Sequence, residues 1–354
     1  MKKTLKSLGI LLLVLLLVVV GYVAYVFISY YRLDDNLVLD IDDKSSISMP
    51  SDKVFTAVTY NVGFGAYSPE FTFFMDGGKE SVAKDADEVY KNINGSINTL
   101  KNIEADFMLI QEIDTNSTRS YHVNQLDMFK NEFSDFSSTY AQNYDSPFLM
   151  YPILQPHGKS MSGIGTFSKY KIESSVRRSL PISESFSKLL DLDRCFSVNE
   201  IKIENGKSLF IYNVHMSAYG GTPEIRSNQI KTLFDDMQSK YNEGHYVICG
   251  GDYNHCMPQN SIQSNNDQTN ESGWAQPFPH NEVSDNFLFA ENYKDASIPT
   301  CRDCDIPYIK GETNIYTLDG FFTSDNIEVI DIENKDEMFM FSDHNPVVLT
   351  FKLR

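Results

Sequence analysis

Two polar clusters, each abutting a short apolar run, set the strongest limit on how this chain can fold. Tyr246 to Cys249 leads directly into Gly250-Gly251-Asp252-Tyr253-Asn254-His255, and Phe341-Ser342-Asp343-His344-Asn345 leads directly into the apolar-rich run from Pro346 to Phe351. Acidic and imidazole side chains at the mouth of a packed sheet are costly to desolvate unless they are paired or bound to a metal. Two such clusters at strand ends point to a metal-assisted active site at one end of a sheet.

The rest of the chain supplies the sheet. Val54 to Tyr60 alternates and reads as a strand, as do Asp106 to Gln111, Ile164 to Phe167, Phe196 to Ile203, Ser208 to Val214, Ile315 to Thr323 and Pro346 to Leu353. Asn205-Gly206 joins two of these as a hairpin. Val82 to Ile103 and Thr222 to Tyr241 carry apolar residues at helical spacing. Hairpins mixed with crossovers favour an α/β sandwich over a purely parallel sheet. The Asn-rich stretch from His255 to about Ser272 reads as a long loop.

The N-terminus stands apart. Leu8 to Ile28 carries no charge and is apolar apart from Gly9, Gly21 and two tyrosines. A helix of about 20 such residues spans a bilayer. The run exceeds the core of a signal peptide and has no convincing A-x-A site, so a transmembrane anchor over 1–32 is expected, with a cleaved signal as the alternative. Lys2, Lys3 and Lys6 precede the run, whereas Asp34, Asp35, Asp40, Asp42 and Asp43 follow it. The positive-inside rule then puts the N-terminus in the cytoplasm and the remainder outside. Residues 33–53 read as an acidic juxtamembrane linker, and 54–354 as the catalytic domain.

Charge narrows the partners. The net charge is −18, and residues 1–32 hold four bases and no acid, which leaves 26 basic against 48 acidic residues, or −22, in the rest. Such a surface disfavours non-specific nucleic-acid binding, which runs on phosphate neutralisation. Of five cysteines, at least one must be free. Cys301-x-x-Cys304 could be a tight disulfide, half a zinc site or neither, and Cys249 reads as a small core residue.

Polar residues recur at strand ends: Asn61, Glu112, His215, Asp252 with Asn254, Asp319, and Asp343 with His344. Such positions line the rim where α/β folds bind ligands. Thr59-Tyr60-Asn61-Val62, Leu109-Ile110-Gln111-Glu112, Ser162-Gly163-Ile164-Gly165, Asn213-Val214-His215-Met216, Gly251-Asp252-Tyr253-Asn254, Leu318-Asp319-Gly320 and Ser342-Asp343-His344-Asn345-Pro346 resemble, in order, the motif set of the endonuclease/exonuclease/phosphatase superfamily, from about Val54 to the C-terminus. The resemblance implies a DNase I-like, four-layer α/β/β/α sandwich and Mg²⁺-dependent phosphoester hydrolysis, with Mn²⁺ as an alternative metal. Carried over residue by residue, it puts Asn61, Glu112 and Asp343 on the metal side. Asp252 would orient or deprotonate the attacking water, with Asn254 fixing it. His215 would donate to a non-bridging oxygen. His344, its ring held by Asp319, would stabilise the pentacovalent state or act as acid. This mix suits the reaction, because charge builds on phosphoryl oxygens and fixed donors neutralise it.

Two subfamily signatures are missing. Met161 stands near the place where abasic-site nucleases carry a tyrosine, and Tyr316-Thr317-Leu318-Asp319-Gly320 replaces the Trp-Cys-Asp-Arg signature of inositol-polyphosphate phosphatases. The aromatic segments 71–79, 143–159 and 274–279 are expected to shape the pocket or to pack as loop core, and Arg119, Lys159, Arg178 and Arg194 are the bases to look for near phosphate. The reading is a membrane-anchored hydrolase of a phospholipid or another small phosphoester. Its rivals are an extracytoplasmic nuclease and a catalytically silent binding domain.

Overall fold

The computed structural model describes residues 2–183, 192–218, 222–257, 275–291 and 298–354. It holds two seven-stranded mixed sheets. One runs in the order β17 (Ile327–Asn334), β18 (Val347–Leu353), β3 (Val54–Asn61), β4 (Phe107–Asp114), β6 (Met161–Ser168), β5 (Ser137–Asp145) and β2 (Ile41–Asp42). The other runs β1 (Leu37–Val38), β7 (Ser174–Ser179), β8 (Cys195–Lys202), β9 (Ser208–His215), β10 (Tyr246–Asp252), β16 (Asp319–Ser324) and β13 (Phe287–Phe289). Two short ribbons, β11 (His255–Cys256) with β12 (Gln276–Pro277) and β14 (Cys301–Arg302) with β15 (Ile315–Tyr316), sit on the loops.

Strand alternation builds the layers. Phe55 and Ala57 of β3 pack with Leu209, Ile211, Ile248 and Phe321 of the facing sheet. Val58 and Tyr60 point the other way, toward Val89, Ile93 and Ile97 of α2 (Ala86–Ile103). On the far side, α4 (Pro223–Asn242) lays Ile230, Leu233, Phe234 and Met237 on Phe210, Tyr212 and Val247. Helix, sheet, sheet, helix is the four-layer sandwich that the resemblance implied. A polar seam crosses between the sheets: Asn199 accepts from Thr139 Oγ1 at 2.8 Å and Ser175 Oγ at 2.7 Å, and Gln111 donates to Asn213 Oδ1 at 2.8 Å. Buried polar groups satisfied in this way fix how the two sheets align.

The helices start where side chains cap them. Asp85 accepts from the Glu88 amide at 2.8 Å, so α2 begins at Ala86 rather than Val82. Thr222 caps α4, and Pro223 fills its first turn. A third helix, α3 (Gln125–Glu132), was not expected; it packs Phe129 under the first sheet. The expected single strand Ile315 to Thr323 is two, β15 and β16, in different sheets.

N-terminal to the sandwich, α1 (Lys2–Ser29) is long and apolar enough to cross a membrane, and its apolar window is exposed. The stretch read as a linker is docked. Leu37–Val38 pairs with β7 and Ile41–Asp42 with β5, Arg32 donates to the Leu180 carbonyl at 2.8 Å, and Arg177 donates to the Asp34 carbonyl at 3.1 Å. Its acidic composition reads as a juxtamembrane linker, and the strand edges and Arg177 hold that linker against the sandwich.

Candidate active site

Three adjacent strands of the second sheet end in one row. Asp252 on β10 lies directly across from His215 on β9 and from Asp319 on β16. Close strand approach is built in at Gly251, where a Cβ would stand 2.0 Å from the Val214 carbonyl oxygen. His344, from the loop before β18, closes the row: its Nδ1–H donates to Asp319 Oδ2 at 2.8 Å, and its Nε2 lies 3.8 Å from Asp252 Oδ2. His215 Nε2 is 3.5 Å from the same oxygen. Asn254, at φ +51°, donates its backbone N–H to Asp252 Oδ1 at 2.9 Å and its amide to the Met216 carbonyl at 2.9 Å.

The first sheet contributes from across the gap. Asn61 ends β3, and its amide donates to Asp252 Oδ2 at 3.0 Å and reaches Glu112 Oε1 at 3.4 Å. Glu112 sits in a bulge of β4, where the register against β6 shifts between Ile110 and Ile113, and its φ is +58°. A bulge re-aims a side chain. Here it sends Glu112 into the cleft while Gln111 points into the seam between the sheets. Ser342 Oγ donates to the Asn61 carbonyl at 2.8 Å, which ties the loop of Asp343 and His344 to the end of β3.

These groups pull one another's protonation apart. Burial raises the Asp252 carboxyl, and the neighbouring Asp319 carboxylate raises it further. Burial opposes charge on His344, yet Asp319 above all, with Cys301 and Asp252 behind it, keeps the ring protonated well above the ordinary imidazole range. His215 is the opposite case: burial, then the Arg194 and His344 cations, hold it neutral. Burial also lifts Glu112; Arg119 draws it back down, and Asp343 adds to the rise.

The donor chemistry fits a hard divalent cation. Glu112 and Asp343 bring carboxylate oxygens to the same cleft, and the Asn61 amide oxygen beside them, which accepts from the Gly63 amide at 3.0 Å, is a third oxygen donor. Mg²⁺ needs only one or two carboxylates and keeps several waters. Among the described residues, the one group of three His, Cys, Asp or Glu side chains with donor atoms within 4.8 Å of each other is Asp252, Asp319 and His344. In that group the His344 Nδ1 is already engaged by Asp319 Oδ2 at 2.8 Å. Within the row, the buried Asp319 Oδ1 and His215 Nδ1 have no hydrogen-bond partner among the described residues.

Six of the eight expected site residues, Glu112, His215, Asp252, Asn254, Asp343 and His344, line one cleft of about 310 Å³, and the other two, Asn61 and Asp319, stand behind it bonded to Asp252 and His344. The chain belongs to the endonuclease/exonuclease/phosphatase family. The family's model matches residues 58–344. No curated protein sequence matches the chain. Among solved structures, it is similar to an endonuclease/exonuclease/phosphatase from Beutenbergia cavernae DSM 12333, at 13% identity and a TM-score of 0.60 over 85% of this chain and 72% of that one. It is similar to the human Nocturnin catalytic domain, at 16% identity and a TM-score of 0.53 over 89% and 97%. A third is ANGEL2, described as a 2′,3′-cyclic phosphatase, at 13% identity and a TM-score of 0.55 over 89% and 98%. At these identities the likeness shows the DNase I-like fold.

Around this family site, Phe73, Met75, Tyr144 and His157 line the cleft, so the first two aromatic segments reach it. In the third, Phe278 packs as core against Tyr253 and Phe322, and Trp274 lies outside the described residues. Of the four bases singled out, Arg119 and Arg194 line the cleft. Arg119 grips Asp114 through two hydrogen bonds, at 3.0 and 2.9 Å, and stacks over Phe64. Lys159 pairs with Asp145 at the surface, and Arg178 pairs with Asp35 and Asp236; neither reaches the cleft. Arg302 does reach it and was missed, because its segment was read only for its thiols. Those thiols are free: Cys301 pairs its backbone with His344, and Cys304 Sγ lies 3.7 Å from Asp343 Oδ2.

Proposed function

We propose that this protein is a membrane-anchored, Mg²⁺-dependent phosphoester hydrolase whose substrate is a phospholipid or another small phosphoester. The observation that carries the reading is the row His215, Asp252, Asp319, closed by His344 and faced by Asn61 and Glu112. It is a complete set of base, acid and fixed donors around one opening. Asn61, Glu112 and Asp343 would hold the metal, which supplies Lewis-acid stabilisation of phosphoryl charge.

The chain's own residues do the rest. Asp252, fixed on both oxygens by Asn61 and Asn254, takes a proton from water as its oxygen attacks phosphorus. Neutral His215 offers Nε2–H to a non-bridging oxygen without adding a second cation. His344, protonated and oriented by Asp319, stabilises the pentacovalent state and gives a proton to the leaving oxygen as the P–O bond breaks. α1 supplies the anchor, and its flanking lysines support a cytoplasmic N-terminus with the sandwich on the other side. The test is turnover of a phosphomonoester and phosphodiester panel by the full chain in detergent, with Mg²⁺ and with chelator. Hydrolysis of at least one ester only with metal is expected; hydrolysis of none would end the reading.

A further inference from the structure

We infer that the loop 148–154 is seated in the leaflet beside α1, so that the cleft receives the headgroup of a membrane phospholipid directly from that leaflet. The substrate half of this inference rests on the hydrolase reading; the seating of the loop does not.

The loop is unlike the rest of an acidic surface. Residues 146–158 carry no charged side chain. Phe148, Met150 and Tyr151 are exposed, Ile153 is 82% exposed and Leu154 is fully exposed. Single exposed apolar residues are ordinary, but a contiguous patch marks a contact surface. This patch stands against the apolar helix. Tyr22 Oη–H donates to the Phe148 carbonyl at 3.2 Å and accepts from the Met150 amide at 2.9 Å, and Tyr25 Oη accepts from the Phe148 amide at 3.1 Å.

The depth of that contact identifies the occupant. The uncharged run of α1 ends at Ile28, six residues beyond Tyr22. At a rise of 1.5 Å per residue the loop meets the helix about 9 Å inside the end of its apolar run. Interfacial segments settle roughly 5–10 Å into the headgroup–acyl boundary, where tyrosines also concentrate. If α1 spans the bilayer, the loop must enter it. The docked stretch after the helix fixes this geometry: Arg32, Asp34, Asp35 and the β1–β7 pair all hold α1 close to the sandwich.

The same loop forms a wall of the cleft. Leu149 and Gly158 close its base with a pair of backbone hydrogen bonds, each 3.0 Å. His157 faces the cleft and bonds the Ser81 carbonyl through Nδ1 at 2.8 Å, while the Tyr151 ring packs 5.8 Å from Phe74. One segment therefore presents an apolar tip to acyl chains and an inner face to the phosphoester site. A lipid can keep its chains in the leaflet while its headgroup enters along Met75 and His157.

The test uses the full chain reconstituted in phosphatidylcholine–phosphatidylglycerol vesicles. Trp274 is the only tryptophan, so Leu154→Trp in a Trp274→Phe background reports on the loop alone. Acyl-brominated lipid should quench that tryptophan. Separately, Ile153→Asp/Leu154→Asp should lower hydrolysis of vesicle phospholipid at least about tenfold, while kcat/KM on a water-soluble phosphodiester stays within about twofold. Absence of quenching overturns the seating; a blue-shifted but unquenched tryptophan would mean that protein covers the loop instead. Undiminished lipid turnover, or equal loss on both substrates, overturns direct headgroup delivery. If no soluble ester is hydrolysed either, the hydrolase reading fails, and the quenching result still decides where the loop lies.

Discussion

Glu112 is held in a left-handed backbone conformation, φ +58°, by the bulge that aims it into the cleft. A residue with a Cβ pays about 1–2 kcal/mol for that conformation. Glycine escapes the cost but gives back roughly 0.4–1 kcal/mol through the entropy of the unfolded chain. Glu112→Gly should therefore be more stable than Glu112→Ala by about 1 kcal/mol, the reverse of the usual order inside a strand. Little bonding is lost with the carboxylate, since its contact with Asn61 is long, at 3.4 Å. The assay is urea unfolding of the detergent-solubilised full chain in chelator, followed by titration with Mg²⁺. Metal at a hundred times its Kd stabilises a folded protein by about 2.7 kcal/mol. Wild type should show that gain and both variants should lose most of it, together with activity. An alanine variant as stable as the glycine one would refute the strain argument. Full Mg²⁺ stabilisation of either variant would remove Glu112 from the metal site.

The other consequences can be checked singly. Asp319→Asn removes the carboxylate that keeps His344 protonated, so kcat should fall by at least about a hundredfold and the alkaline limb of the pH–rate profile should move to lower pH; an unmoved limb would contradict the assignment. Burial holds His157 at a pKa of about 4, below its ordinary 6.5. The unfolded chain then binds that proton first as pH falls, so His157 should cost about 1.4 kcal/mol of stability per pH unit between about pH 6.5 and 4; His157→Gln should flatten that slope in pH-dependent unfolding. Protease added to intact cells should remove the sandwich and leave a short membrane stub, and full protection of the domain would reverse the proposed sidedness.

The site was more legible than the sheet edges around it. Asn61, Glu112, His215, Asp252, Asp319 and His344 follow or interrupt apolar runs, and the strands place them together because those runs pack side by side. What sequence could not show was the bulge, since nothing in Ile110-Gln111-Glu112 announces that Gln111 and Glu112 point to different places. β5 and β7 were missed for a related reason. Ser137, Ser138, Thr139 and Ser175 look like loop composition, yet Thr139 and Ser175 bond Asn199 in the buried seam between the sheets. Polarity marks a loop only where water is the partner, and here another strand is. The acidic stretch after α1 failed in the same way, because its partners are the arginines and strand edges of the domain it joins.

In the proposed reaction Asp252 is the base that takes the proton of the attacking water. The most direct measurement compares wild type with Asp252→Asn on the best ester of the panel, in Mg²⁺, with melting curves recorded on the same preparations. Asp252→Asn should lose at least about a hundredfold in kcat with KM changing far less, and its melting curve should show it folded at the assay temperature, although the amide NH2 replaces one acceptor oxygen that Asn61 and Asn254 bond. A folded Asp252→Asn protein that hydrolyses the ester at the wild-type rate would contradict the account.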